Sequence, residues 1–229
     1  VPHAEAMSNA ASALQRAASG DAVEERGAVR LTASEMVGVE VLPEALATFR
    51  EAHPRIDVEL TLSNRSADLS RREADLAVRM VKPTQHQLVV RKLGTVPVHL
   101  HAHPRYLLAH GTPRTLDALR EHALIGFDSA PSIRVLPNLP FPITRDLFAF
   151  RCDDDLAQYA ALKAGFGLGF CQAGLGKRDG LVPVLREVLG FELGMWLVVH
   201  RDLRGSKRVR LLFDHLAQYL KGYLATQPS

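Results

Sequence analysis

The sequence predicts an α/β protein, and three stretches carry that expectation. Val29–Leu31 is a short strand-like run that leads through Thr32, Ala33, Ser34 and Glu35 into an amphipathic helix with Leu42, Ala45, Leu46 and Phe49 on one face. Ile56, Val58, Leu60 and Leu62 then alternate with Asp57, Glu59 and Thr61, the period-two pattern of a half-buried strand. In the second half, DDDLAQYAALKAG from Asp153 reads as a helix followed by a strand at Phe166–Phe170, which repeats the same grammar. Strands alternating with crossover helices imply a parallel sheet.

Composition narrows the class. With 229 residues, 47% hydrophobic and 23% charged, the chain can bury a core as one domain or two small ones. Apolar runs such as Leu193–Val199 fall far short of the ~20 residues a spanning helix needs, and residues 1–25 hold no secretory apolar region, so the cytoplasm is expected and no membrane partner. Cys152 and Cys171 are too few for a disulfide framework and are expected as reduced thiols. Lys and Arg number 28 against 25 Asp and Glu, a near balance that argues against nucleic-acid contact by this segment itself.

Residues 1–20 place Met7, Ala10, Ala11, Leu14, Ala17 and Ala18 at helical spacing before Gly20. A face of such small residues buries too little area to stand alone and is expected against a partner helix, unless this is a frayed terminus. A chain that begins in mid-helix without an initiator Met is expected to belong to something longer. Pro43 suits a first helical turn, and Pro54 forbids helix beyond His53. The second strand ends at Ser63-Asn64-Arg65, Ser66 can cap a short helix through Arg72, and Asp75–Arg79 forms a third strand ended by Lys82-Pro83-Thr84. Val96, Val98 and Leu100 alternate along a longer strand. A helix over Thr115–His122 and strands at Ala123–Phe127 and Leu147–Cys152 follow, separated by a proline-rich loop. Gly165 stops the Asp153 helix, Phe191–His200 is the last strand, and Ser206 caps a final helix carrying Val209, Leu212, Phe213, Leu216, Leu220 and Tyr223.

The runs VRLTASEMVGVEVLPEALATFREAHPRIDVEL, LSRREADLAVRM and LAQYAALKAGFGLGF, after an Ala-rich helix, resemble the effector-binding domain of the LysR-type transcriptional regulators over roughly residues 1–225. The resemblance implies a fold like the type 2 periplasmic binding proteins: two Rossmann-like subdomains, joined by two crossover strands, with a small-molecule site between them. Residues 1–26 are then linker helix and connector, residues 27–97 with 194–229 the first subdomain, and residues 98–193 the second. Thr95–His101 and Gly194–His200 are the expected crossovers. The family's winged helix-turn-helix is missing from this sequence, so DNA is expected as a partner only through that missing N-terminal domain. A homodimer or higher homo-oligomer is expected, paired through the helices Leu42–His53 and Asp155–Ala164, whose Ala45, Ala157 and Ala161 exceed one buried face.

Thr32, Ser34 and Glu35 match the polar turn that contacts the effector in the family, and the competing role for the hydroxyls is a helix N-cap. Asn64 and Arg79 end the second and third strands and are expected at the same crevice, since ligands bind beyond the carboxyl ends of parallel strands. Arg79 lies in an apolar strand, where an unpaired charge is costly. Phe127, Asp128, Asp153 and Phe170 are the candidates for an opposing wall, with helix capping as the ordinary role of Asp153–Asp155. The string Gly165-x-Gly167-x-Gly169 follows a helix, whereas a dinucleotide fingerprint follows a strand, so no nucleotide cofactor is expected. His99, His101 and His103 alternate as if on one strand face. That spacing suits zinc, but a further ligand and second shell are missing nearby, and no metal is expected. No nucleophile–base arrangement can be assembled, so the chain is expected to be a non-enzyme that senses a small organic acid. Two other readings share this fold: a transport solute-binding protein and a zinc enzyme built on the histidines.

Overall fold

Strand β1 (Gly27–Ala33) pairs in parallel with β2 (Ile56–Leu62) on one side and with β3 (Leu76–Arg79) on the other. The computed structural model describes residues 25–64, 74–83, 88–129, 140–203 and 205–228. Two units divide the chain: the first runs through Gly94 and resumes over Gly194–Ala225, and the second comprises Thr95–Leu193 with the residues after Ala225.

In the first unit β3 also pairs antiparallel with β9 (Gly190–His200), so β3 has a neighbour on each side and all four of its residues are buried. That position explains its unbroken apolar run. The edge strand β2 buries Ile56 alone and leaves Leu60 37% exposed, so its alternation marks a more open face than expected.

Two helices follow β1, an additional α1 (Glu35–Glu40) and then α2 (Leu42–Ala52), which is the expected helix, with the break between them at Val41. Pro43 sits in the first turn of α2. Its ring obstructs the carbonyl four residues back and it has no N–H to donate, so one continuous helix is excluded. Gly38 lets α1 lie close on β2, because a Cβ there would come within 2.1 Å of Leu62 Cδ2. Leu42, Ala45 and Phe49 of α2 are fully buried. Ala45 therefore belongs to the unit's own core and is not surplus, contrary to the sequence expectation. The long α6 (Lys207–Ala225) covers α2, with His215 Nε2 2.8 Å from the Ala45 carbonyl oxygen and its ring 5.3 Å from that of Phe49. Ser206 does not cap α6 through its side chain: its Oγ is buried with no hydrogen-bond partner among the described residues, while its carbonyl accepts the Arg210 N–H at 3.0 Å.

In the second unit β4 (Leu88–Ala102) pairs through Val98–Ala102 with the antiparallel β7 (Leu168–Gln172). Parallel to β7 runs β5 (Leu124–Gly126), and parallel to β5 runs β6 (Phe148–Arg151). The two-residue β8 (Val182–Pro183) also pairs with β4. Leu100, Tyr106, Leu119, Leu124, Phe148 and Leu168 are the centre of this unit's core. The strand does not continue to His103. That residue is instead the N-cap of α3 (Pro104–His110), its Nδ1 accepting the Arg105 N–H at 3.0 Å with proline in the first helical turn. Thr115–His122 forms only a 3-10 turn at Asp117–Glu121. Helix α4 (Asp155–Lys163) closes at Gly165, whose φ of +73° favours glycine, and β7 begins at Leu168 rather than at Phe166. Gly167 is required for a different reason: a Cβ there would stand 2.1 Å from the Ala123 carbonyl oxygen, which accepts the Leu168 N–H. Helix α5 (Ala173–Arg178) follows β7.

The unit boundaries fall within β4 at Gly94–Thr95 and within β9 at Leu193–Gly194. The expected helix in residues 1–20, the Ser66–Arg72 helix and residues 131–139 of the proline-rich loop lie outside the described residues.

Candidate effector site

The carboxyl ends of β1, β2 and β3 are laced together before any ligand is considered. The Ser34 N–H donates to the Val78 carbonyl at 3.1 Å, and the Ser63 N–H donates to that of Ala33 at 2.9 Å. Arg79 closes β3 and is only 5% exposed. Its Nη2 donates to Thr32 Oγ1 at 3.0 Å and its Nη1 to the Ser63 carbonyl. Thr32, 2% exposed, therefore acts as an anchor for the guanidinium rather than as a helix cap. Both oxygens are neutral acceptors that fix the fork's orientation. Ser63 carries no signal in the sequence, because its contribution is a main-chain carbonyl.

Ser34 stands at the N-cap of α1, yet its side chain makes no capping bond. Asn64 does that work from across the strands. Its Oδ1 accepts the Glu35 N–H at 3.2 Å, while its Nδ2 donates to Glu35 Oε2 at 3.1 Å. The Glu35 carboxylate thus holds Asn64 at the first turn of α1. Thr32, Ser34, Glu35, Asn64 and Arg79 all lie where three parallel strands end and a helix begins, the position at which open α/β sheets bind ligands.

In the second unit the acidic run divides its roles. Asp154 caps α4 by accepting the Ala157 N–H at 2.9 Å. Asp153 Oδ1 accepts the N–H groups of Asp128 at 3.1 Å and Ser129 at 3.0 Å, and the Ser129 N–H foremost holds its carboxyl below the ordinary carboxylate range. Asp153 is thereby tied to the segment that follows β5, where Phe127 is half-buried. Phe170 is placed elsewhere: it packs against the core of its unit with its ring 5.6 Å from Phe191. Of the three histidines, His99 and His101 remain together on β4 with ring centroids 6.4 Å apart, and His103 has left for the α3 cap. Burial pushes the Cys171 thiol up to about 12, so its sulfur, 3.3 Å from His101 Nδ1, is held as a thiol. Among the described residues no group of three or more His, Cys, Asp or Glu is placed to hold a metal ion, and no helix is long and apolar enough to cross a membrane.

This geometry is that of a ligand-binding α/β domain, and comparison with known proteins makes it specific. The LysR substrate binding domain model matches residues 22–221. The regulatory domain of CrgA, a LysR-type transcriptional regulator from Neisseria meningitidis, superposes with a TM-score of 0.77 at 23% identity, covering 85% of this chain and 99% of that one. The probable HTH-type regulator LtrA of Klebsiella pneumoniae is 29% identical over 227 residues, 94% of this chain and 73% of that protein. An HTH-type regulator of Haemophilus influenzae is 36% identical over 85 residues, which is 30% of its length. The chain belongs to the LysR family: it is the effector-binding domain of a LysR-type regulator.

Proposed function

We propose that this domain binds a small organic anion against Arg79 and conveys its presence to a DNA-reading domain of the full regulator. The observation that supports the anion is the buried Arg79 fork, oriented by Thr32 and Ser63 at the carboxyl ends of three parallel strands. A permanently charged, planar donor at such a position favours a carboxylate or phosphate. The relatives are named as HTH-type transcriptional regulators, which supports a domain that acts by binding, in the cytoplasm where DNA is read, over one that acts by catalysis. A ligand shifts such a protein only through its differential affinity for two states. Phe127 and Asp153 are proposed as effector contacts from the second unit, with Phe170 shaping the apolar core behind them.

We further propose a two-fold homodimer, with Leu60 on β2, Val39 on α1, the half-buried Leu46 on α2, and Ala157 and Ala161 on α4 as apolar residues available to a partner. Light scattering at high micromolar concentration should give twice the chain mass. A strict monomer would remove the dimer while leaving the sensor intact.

Calorimetry against aromatic and aliphatic acids and their neutral analogues tests the anion. Acids should bind and neutral analogues should not, and Arg79→Ala should abolish acid binding in protein whose folding is confirmed by circular dichroism. Equal binding of neutral compounds, or unchanged acid binding by the variant, would overturn the proposal.

A further inference from the structure

Trp196, the chain's single tryptophan, stands beside Arg79: the two are register partners on the antiparallel strands β9 and β3, so their side chains leave the sheet on the same face. Thr32 shares that face through its register with Ala77, two residues before Arg79. The indole is held at its base. It packs on the buried pair Ala77 and Val198 together with Leu88 and Val90, yet it is only half-buried, so part of a large apolar ring stays open. Gly194 decides which way the ring lies. A Cβ there would stand 2.6 Å from Trp196 Nε1, so the pyrrole edge reaches back along β9 over a residue without a side chain. Because the strands are antiparallel, the residues before Trp196 lie on the side of those that follow Arg79. The indole therefore extends past the carboxyl end of β3, the end at which ligands bind.

Two ammonium groups attend the ring. Lys82 Nζ lies 5.8 Å from its centroid and Lys92 Nζ 5.7 Å, both within the range of a cation–π contact. Both lysines are exposed, and exposed side chains change rotamer rapidly, so they steady the indole without sealing its face. An aromatic plate beside a guanidinium fork suits a ligand that offers a flat ring and an acidic group together. An aliphatic acid would meet the charge and leave the indole face to water.

We propose that Trp196 is the specificity-determining residue of the effector site, stacking on a planar ring of the ligand so that the site selects aromatic acids over aliphatic ones. This rests on the effector reading at Arg79 and adds the kind of body that the acid group carries. The test is calorimetry on the 229-residue chain with three probes: phenylacetate, cyclohexylacetate and the neutral phenylacetamide. Cyclohexylacetate keeps the acid and the ring size and loses the flat face. Phenylacetate should bind about fivefold tighter than cyclohexylacetate, as the added contribution of an aromatic pair implies, and should change the fluorescence of Trp196. Trp196→Leu should remove that preference by weakening phenylacetate alone, and Trp196→Phe, which keeps a ring, should retain part of it, with circular dichroism confirming that both fold. Equal binding of the two acids by the parent or by Trp196→Phe, a preference that persists in Trp196→Leu, or no binding of either acid would overturn the proposal. Phenylacetamide separates the two readings: if it binds as well as phenylacetate while the Trp196 preference stands, the anion at Arg79 fails and the aromatic plate survives.

Discussion

Replacing Thr32 by Val keeps the shape of a buried side chain and removes one oxygen. That oxygen accepts from Arg79 Nη2 at 3.0 Å, and both residues are nearly inaccessible, so solvent is poorly placed to replace the bond. A hydrogen bond to a charged donor contributes about 1.5–3 kcal/mol, which sets the expected loss near 2 kcal/mol. Thr32→Ser keeps the acceptor and deletes one methyl, for about 1 kcal/mol. The chain's single tryptophan, Trp196, is the register partner of Arg79 on β9, so its fluorescence in urea reports the unit under test. Arg79→Met retains most of the stem, and a double-mutant cycle with Thr32→Val should return a coupling of about 2 kcal/mol, because each change removes the same bond. Acid binding should follow: Thr32→Val loosens the fork and weakens the ligand about tenfold, whereas Thr32→Ser does not. A Val variant as stable as the parent, or a coupling below about 0.5 kcal/mol, would refute the anchoring role of Thr32.

Gly167→Ala should destabilise the second unit by about 3 kcal/mol or more in denaturant, since its Cβ would meet the Ala123 carbonyl oxygen at 2.1 Å and main chain cannot rotate aside. Gly222→Ala, in the interior of α6 with nothing within 4 Å of the new Cβ, should instead stabilise by roughly 0.5–1 kcal/mol; a destabilised variant there would show that α6 is misjudged. The Asp179 carboxyl is held at about 2, first by its bond from Arg178, and also by Tyr159, whose hydroxyl donates to it at 2.9 Å. Because the folded value lies below the ordinary one, its contribution is complete above about pH 4 and disappears as pH falls toward 2. Asp179→Asn should flatten the acid-unfolding curve over that interval, and an unaltered curve would place the acid sensitivity elsewhere. With its thiol pushed up to about 12 by burial, Cys171 should resist alkylation at pH 8 until urea is added, while the half-buried Cys152 reacts in the native chain; two fast thiols would contradict this.

What was legible in the sequence followed from periodicity and punctuation. β3 and α6 keep one period almost throughout and Gly165 announces the end of α4, so the α/β class could be read directly. β1, by contrast, runs two residues past the Leu31 at which it was expected to end, and the two crossovers came from the family resemblance. Failures occurred where a single residue outweighs a pattern. Alternation carried β4 through His103, but Pro104 suits a first helical turn, and a histidine just before it can accept a backbone N–H as well as continue a strand. The polar turn read at Thr32–Glu35 gave no sign that a short helix, α1, starts at Glu35, whereas Pro43 did mark the first turn of α2. Short 3-10 turns such as Asp117–Glu121 share enough of the helical period to be taken for a helix.

At the candidate site, the sequence supplied the residues without their roles. Thr32, Ser34 and Glu35 look like a self-capping helix start, because local hydroxyls and carboxylates usually satisfy the first N–H groups. The fold instead brings Asn64, 29 residues away, to cap α1, and turns the Thr32 hydroxyl toward Arg79. The exchange has a physical reason. Arg79 arrives on a strand buried on both sides, and leaving its donors unmatched would cost more than leaving a helix N-terminus to an amide from a neighbouring strand. The nearest buried hydroxyl is therefore drawn to the charge, and the cap passes to Asn64 at the exposed end of β2. A residue's part in such a site is decided by which buried group has the greater need of it, and that comparison becomes possible only once the three strands are side by side.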